Sequence, residues 1–294
     1  MKSIFVLLAA LLAAAVSPQG AAAQNSGLDA LLTREELRGF EPVGRVDIEG
    51  GGFCTGALIA PDLVLTAGHC VLASDGTAVP AERFRFRAGL ANGTALAEAN
   101  VVRTIIDPGY RSMDPAPPEM IARDVALLQL AEPIPTSLIS PLTVARPGNG
   151  DVVSVVSYAV GREEVLSWQR VCHVIGRQDQ LIAMDCDVTF GSSGAPVLDR
   201  SGYRARIVSI ISAGSEENGK TMSVGMELPA LVDRLKSALR RGQATSVANT
   251  PTPATVSVES ATPSMPGKPV RRIELQGDKR IGTSGGLRLG GAAP

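Results

Sequence analysis

Histidine occurs only twice in this 294-residue chain, so the setting of each one is informative. His69 stands at the end of an apolar run, in Leu65-Thr66-Ala67-Gly68-His69-Cys70. Further along, Asp124 immediately precedes the apolar run Val125-Ala126-Leu127-Leu128. Later still, Ser193 lies in Gly191-Ser192-Ser193-Gly194-Ala195-Pro196. A serine hydroxyl is a poor nucleophile at neutral pH and needs a base to take its proton as it attacks. Imidazole, with an unperturbed pKa of about 6.5, can take that proton and later return it to a leaving group. A carboxylate on the other ring nitrogen fixes the tautomer and stabilises the imidazolium. Asp124 reads either as that carboxylate or as an aspartate in a surface turn. Its place at the head of an apolar run argues for a partly buried group that needs a partner.

The elements that must hold these residues read as β. Short Val/Ile/Leu runs are separated by 31 Gly and 20 Pro, and aromatics make up only 3%. Candidate strands from Val43 onward include Cys54–Ala60, Leu63–Thr66, Val101–Ile106, Val152–Tyr158, Glu164–Ile175 and Thr221–Met226. Arg83-Phe84-Arg85-Phe86-Arg87 alternates as a half-buried strand does. About twelve such strands fit one or two antiparallel barrels. Pro133, Pro135 and Pro141 mark a linker that divides them into two similar sets. After the last strand, Leu228, Leu231, Val232, Leu235 and Leu239 recur at helical spacing and predict an amphipathic helix over 229–241.

The three segments, in this order, resemble the catalytic motifs of the chymotrypsin-like (trypsin-like) serine peptidases. Cys54-Thr55-Gly56-Ala57-Leu58-Ile59 also resembles the strand that precedes the histidine in that family. The resemblance runs from about Val43 to Arg241. It implies an all-β fold of two antiparallel six-stranded barrels (43–133 and 134–228) with a C-terminal helix. It further implies a triad of His69, Asp124 and Ser193, an oxyanion hole from the backbone N–H groups of Gly191 and Ser193, and no cofactor or metal. The disulfides it implies are Cys54 with Cys70 and Cys172 with Cys186. The substrate would be an extended polypeptide, with Ser212 and Gly214 on the strand that pairs with it and Asp187 at the base of the primary pocket.

Departures from the family pattern matter. Ser192 stands where many animal members carry an aspartate that pairs with a newly cut N-terminus, so activation by N-terminal insertion is not expected. An uncharged residue there is similar to the bacterial V8 and glutamyl-endopeptidase branch. Ile211 stands where glutamyl-specific members carry a histidine, which speaks against that specificity. Asp187 leaves two readings open: a partner for Arg or Lys of the substrate, or a structural acid beside Cys186 with a pocket for small or apolar residues. His173 reads as structural or surface, and Trp168 as core.

The chain ends read differently. Lys2, the apolar run Ile4–Val16 and Ala21-Ala22-Ala23 predict a signal peptide over 1–23, because the run is shorter than the roughly 20 residues that span a bilayer. Export makes the 4 cysteines read as two disulfides. Zinc is disfavoured, since no CxxC pair occurs and His is scarce. Residues 24–42 are expected to form a helical or flexible lead-in or propeptide. Residues 242–294, rich in Pro, Ser, Thr and Gly, are expected to be a disordered tail, with a docking segment near Val270–Leu275 as the alternative. A net charge of −1 offers no bulk attraction to nucleic acid or membrane. A secreted or periplasmic monomer is expected. The rival from another class is a secreted, non-catalytic binding protein on the same fold.

Overall fold

The computed structural model describes residues 27–113, 115–148, 152–217, 220–244, 271–273 and 287–289. The expected signal segment lies outside the described residues. The first half carries β1 (Leu28–Ala30), β2 (Val43–Ile48), β3 (Gly52–Ala60), β4 (Leu63–Thr66), β5 (Phe84–Ala88), β6 (Ala97–Ile106) and β7 (Ala126–Leu130), with a one-turn helix α1 (Pro118–Ile121) before β7.

Strands β2 to β7 close into a barrel in the order β2-β3-β4-β7-β6-β5. The alternation in β5 is realised as predicted from its period: Phe84, Phe86 and Ala88 are buried, while Arg85 is exposed and Arg87 half-buried. β2 and β5 close the ring, with Gly44 opposite Ala88. Glycine is required at that seam, since a Cβ on Gly44 would lie 2.4 Å from the Phe86 ring. β4 pairs with β7 so that Thr66 faces Ala126. The residues just beyond β4 and just before β7 therefore leave the barrel side by side. This register brings the His69 turn to Asp124.

The second half carries β8 (Thr143–Val144), β9 (Val152–Ala159), β10 (Arg162–Gln178), β11 (Leu181–Met184), β12 (Pro196–Asp199), β13 (Arg206–Ile210), β14 (Ala213–Glu217) and β15 (Lys220–Met226). Six of them follow one another in the order β15-β11-β10-β9-β12-β13. No ladder joins β13 back to β15. The ends meet instead by close crossing: a Cβ on Gly225 would lie 2.2 Å from the Ile210 carbonyl oxygen, and the Ser209 hydroxyl donates to the Met226 carbonyl at 2.9 Å. The protein is thus mostly β, with one ring closed by hydrogen bonding and a second sheet curled until its edges touch. Helix α2 (Pro229–Arg240) buries Leu231, Val232, Leu235 and Leu239 against the body.

The lead-in differs from the helical or flexible segment expected, while in the tail, most of which lies outside the described residues, a strand falls where the alternative of a docking segment near Val270–Leu275 was expected. The lead-in is neither helical nor loose where it is described. β1 pairs with β10, and Leu31, Leu37 and Phe40 are buried, with the Phe40 ring 4.9 Å from that of Trp168. Burial of these apolar side chains against the body holds the segment without a helix. The tail contributes two short strands, β16 (Arg271–Ile273) and β17 (Leu287–Leu289), which pair with each other and, through β17, with β14. Backbone pairing to a sheet edge needs no hydrophobic core, so a composition unable to build one does not exclude it.

Candidate active site

His69 sits in a short 3-10 turn, Gly68–Val71, directly after β4. Its backbone N–H donates to Asp124 Oδ1 at 2.7 Å, and its Nδ1 lies 2.7 Å from Asp124 Oδ2. Asp124 is fully buried and also accepts from the Ser212 hydroxyl at 2.6 Å. A buried carboxylate with these partners is held in one orientation, and it can hold the imidazole proton on Nδ1. Gly68 makes the approach possible. A Cβ there would stand 3.0 Å from Asp124 Oδ1 and 3.2 Å from the Val125 nitrogen. Gly68→Ala is therefore expected to shift the His69–Asp124 pair by a few tenths of an ångström and lower kcat about tenfold, with little change in thermal melting. Steady-state kinetics beside a melting curve checks this.

Ser193 lies between two glycines with left-handed backbones, Gly191 at φ +91° and Gly194 at φ +76°. Neither position has room for a side chain. A Cβ on Gly194 would be 2.2 Å from Thr66 Oγ1, and one on Gly191 would be 2.5 Å from the Phe53 ring. The loop is pinned to both halves of the fold. The Thr55 N–H donates to the Ser193 carbonyl at 2.9 Å, and the Thr55 hydroxyl donates to the Gly191 carbonyl at 2.8 Å. From the other side, the Gly194 N–H donates to the Ile211 carbonyl at 2.7 Å, and the Ile211 N–H to the Ala195 carbonyl at 2.9 Å. The serine loop thus spans the seam between the barrel and the second sheet, facing the Ile211-Ser212 link between β13 and β14.

The side chains of this site are closed off. Ser193 is 0% exposed and His69 5%. His69 Nε2 is buried with no hydrogen-bond partner among the described residues. That atom would have to receive the serine proton, and catalytic hydrogen bonds of this kind often form only when substrate is bound.

Asp187, expected at the base of a pocket, is exposed, and its backbone N–H donates to Gln169 Oε1 at 2.7 Å. A cation that sequence reading missed stands near it. The Arg162 guanidinium donates to the Ser157 carbonyl at 2.7 Å and to the Ser157 hydroxyl at 3.1 Å. Burial pushes Arg162 down to about 10, with the Asp187 charge acting the other way. It therefore remains a cation at neutral pH. Ser157 Oγ lies in turn 3.2 Å from Ser192 Oγ, next to Ser193 in the chain. An arginine at the start of a strand reads as a surface residue, and no spacing signal singled it out.

The cysteines form two disulfides, Cys54–Cys70 and Cys172–Cys186. The first ties the His69 turn to β3. Cys54, His69 and Cys70 also lie within 4.8 Å of one another in the manner of a metal site. Both sulfurs are in the disulfide, so the cluster offers no thiolate, and it reads as the brace of the histidine turn. His173 adjoins the second disulfide, and its Nδ1 lies 3.3 Å from Asp185 Oδ2.

Residues 54–204 match the family model described as a trypsin-like peptidase domain. Among solved structures, a Glu endopeptidase in complex with MPD superposes with a TM-score of 0.57. It is 21% identical, and the match covers 72% of this chain and 96% of that one. At this identity the likeness concerns the fold.

Proposed function

Because the chain belongs to the trypsin-like peptidase domain family, and is on that ground a serine endopeptidase, we propose that it cleaves polypeptide through His69, Asp124 and Ser193 by way of an acyl-enzyme. The observation that carries this reading is the buried carboxylate of Asp124 holding both the backbone and Nδ1 of His69. Ser193 Oγ attacks the substrate carbonyl while His69 Nε2 accepts its proton. The backbone N–H groups of Gly191 and Ser193 receive the developing oxyanion, each worth roughly 2.7–4 kcal/mol in the transition state. His69 then returns the proton to the leaving amine, and water repeats the sequence in reverse to free the enzyme. The positive φ of Gly191 and its anchored carbonyl support this use of the loop.

The N-terminal apolar segment and the two disulfides support export to an oxidising compartment. Pre-steady-state hydrolysis of a chromogenic ester tests the acyl-enzyme. A burst equal to the enzyme concentration is expected, and hydrolysis without covalent capture of the acyl group would remove the proposal.

Specificity follows from Asp187 in a weaker form than its sequence position suggests. A bare carboxylate in a dry pocket would favour Arg or Lys by orders of magnitude. Here the carboxylate is exposed and a guanidinium already stands near it. A substrate cation at about 4 Å in water gains only about 1 kcal/mol, or roughly fivefold. We therefore expect a mild preference for Arg and Lys over Leu. Asp187→Ser should lower the Arg/Leu ratio of kcat/KM by about fivefold, measured on matched peptide substrates. A hundredfold fall would mean that Asp187 faces a desolvated pocket after all.

A further inference from the structure

We propose that the chain's own C-terminal strand β17 is the resting occupant of the outer edge of β14, where it holds the place of an extended substrate. This rests on the peptidase reading above.

The backbone beside the nucleophile loop runs without interruption into β14. Ile211 exchanges bonds with Gly194 and Ala195, and the Ser212 hydroxyl bonds Asp124. Ala213 and Gly214 come next and open β14. One edge of β14 is filled along its length by β15, from Ala213 opposite Val224 to Glu217 opposite Lys220. The other edge is taken by β17 at two positions, Ala213 opposite Leu289 and Gly214 opposite Arg288. These are the positions of β14 nearest Ser212. An extended substrate adding to this edge would use the same main-chain groups, and one edge cannot serve two strands. β17 is itself backed by β16, with Arg272 opposite Arg288.

A second, independent observation agrees. Ser193 and His69 are both buried, and His69 Nε2 is buried without a hydrogen-bond partner among the described residues. A scissile carbonyl must reach both groups, and their low exposure is what an occupied substrate edge leads one to expect.

The tether makes weak pairing sufficient. Residues 245–270 are rich in Thr, Ser, Pro and Ala. Belonging to one chain makes the pairing intramolecular, at an effective concentration of order mM. A strand with a Kd of order 0.1 mM for its edge would then be about nine-tenths bound, holding the rate on extended substrates down about tenfold.

The test uses the full chain and its Arg288→Pro/Leu289→Pro double variant, since proline carries no N–H for the ladder and fits poorly within it. The double variant should raise kcat/KM on an extended peptide anilide about tenfold, through a lower KM. A synthetic peptide of residues 283–294 should then inhibit that variant competitively. Amide exchange at Ala213 and Gly214, followed in a Ser193→Ala background, should quicken when the prolines are present. Equal exchange with and without the prolines overturns the docking. Faster exchange with unchanged KM overturns the competition with substrate. If neither chain hydrolyses the anilide or any ester, the peptidase reading has failed, and the exchange measurement still decides whether β17 occupies the edge.

Discussion

Ser193→Ala lowers kcat by about a millionfold if Ser193 is the nucleophile, and His69→Ala lowers it by about as much. The double variant should be no worse than either single one, because the hydroxyl and the imidazole perform one step together. The loss should fall on kcat rather than KM, since neither group is needed to hold a peptide against β14. Folding should be little affected by Ser193→Ala. The loop is fixed by the Ser193 carbonyl on the Thr55 N–H and by the flanking glycines, none of which involves the hydroxyl. Kinetics on a chromogenic ester, with a melting curve for each variant, checks the effect. Retention of more than about one-hundredth of the wild-type kcat in Ser193→Ala would place the chemistry elsewhere.

Asp124→Asn should cost about ten-thousandfold in kcat. The reason lies in bonds that the carboxylate accepts, from the His69 N–H at Oδ1 and from His69 Nδ1 and the Ser212 hydroxyl at Oδ2. Asparagine must put an NH2 at one of the two oxygen positions. At the Oδ2 position it turns a donor toward Nδ1, which drives the ring proton to Nε2 and removes the base. At the Oδ1 position it faces the backbone N–H of His69, donor against donor in a buried site, at roughly 1–3 kcal/mol of stability. Ser212→Ala deletes one bond and leaves the carboxylate charge and the histidine contacts in place, so its loss should be far smaller, about tenfold. Comparing the two variants separates the tautomer effect from simple loosening. Equal losses in the two would contradict the assigned role of Asp124.

Much of this site could be read from local sequence because its parts are locally constrained. Gly68 precedes His69 where a Cβ would press on Asp124, and Gly191 and Gly194 flank Ser193 because neither the backbone nor the space allows another residue. Such glycines leave a visible signature. The alternation of Phe84 and Phe86 announced a barrel strand for the same reason, since a period of two is a local property. What was not legible depends on pairing across distance. Arg162 bonds Ser157, and nothing in the residues around it marks it as half-buried. The lead-in has apolar residues that suit a helix and a surface patch equally, and the second sheet decided between them. β17 is three residues long in a Gly-rich stretch, and its pairing with β16 and with the edge of β14 gives it a conformation. The environment of Asp187 was likewise hidden, because its exposure and its neighbouring guanidinium are set by β10 rather than by its distance from Ser193 along the chain.

The decisive measurement is covalent capture of the nucleophile. The purified full chain is incubated to completion with a serine-reactive fluorophosphonate, digested, and mapped by mass spectrometry, alongside His69→Ala and the same chain denatured beforehand. A single adduct on Ser193 is predicted for the native protein, absent in His69→Ala and absent after denaturation. No adduct on Ser193, or an adduct that forms equally well without His69, would contradict the assignment of a histidine-activated serine at this site.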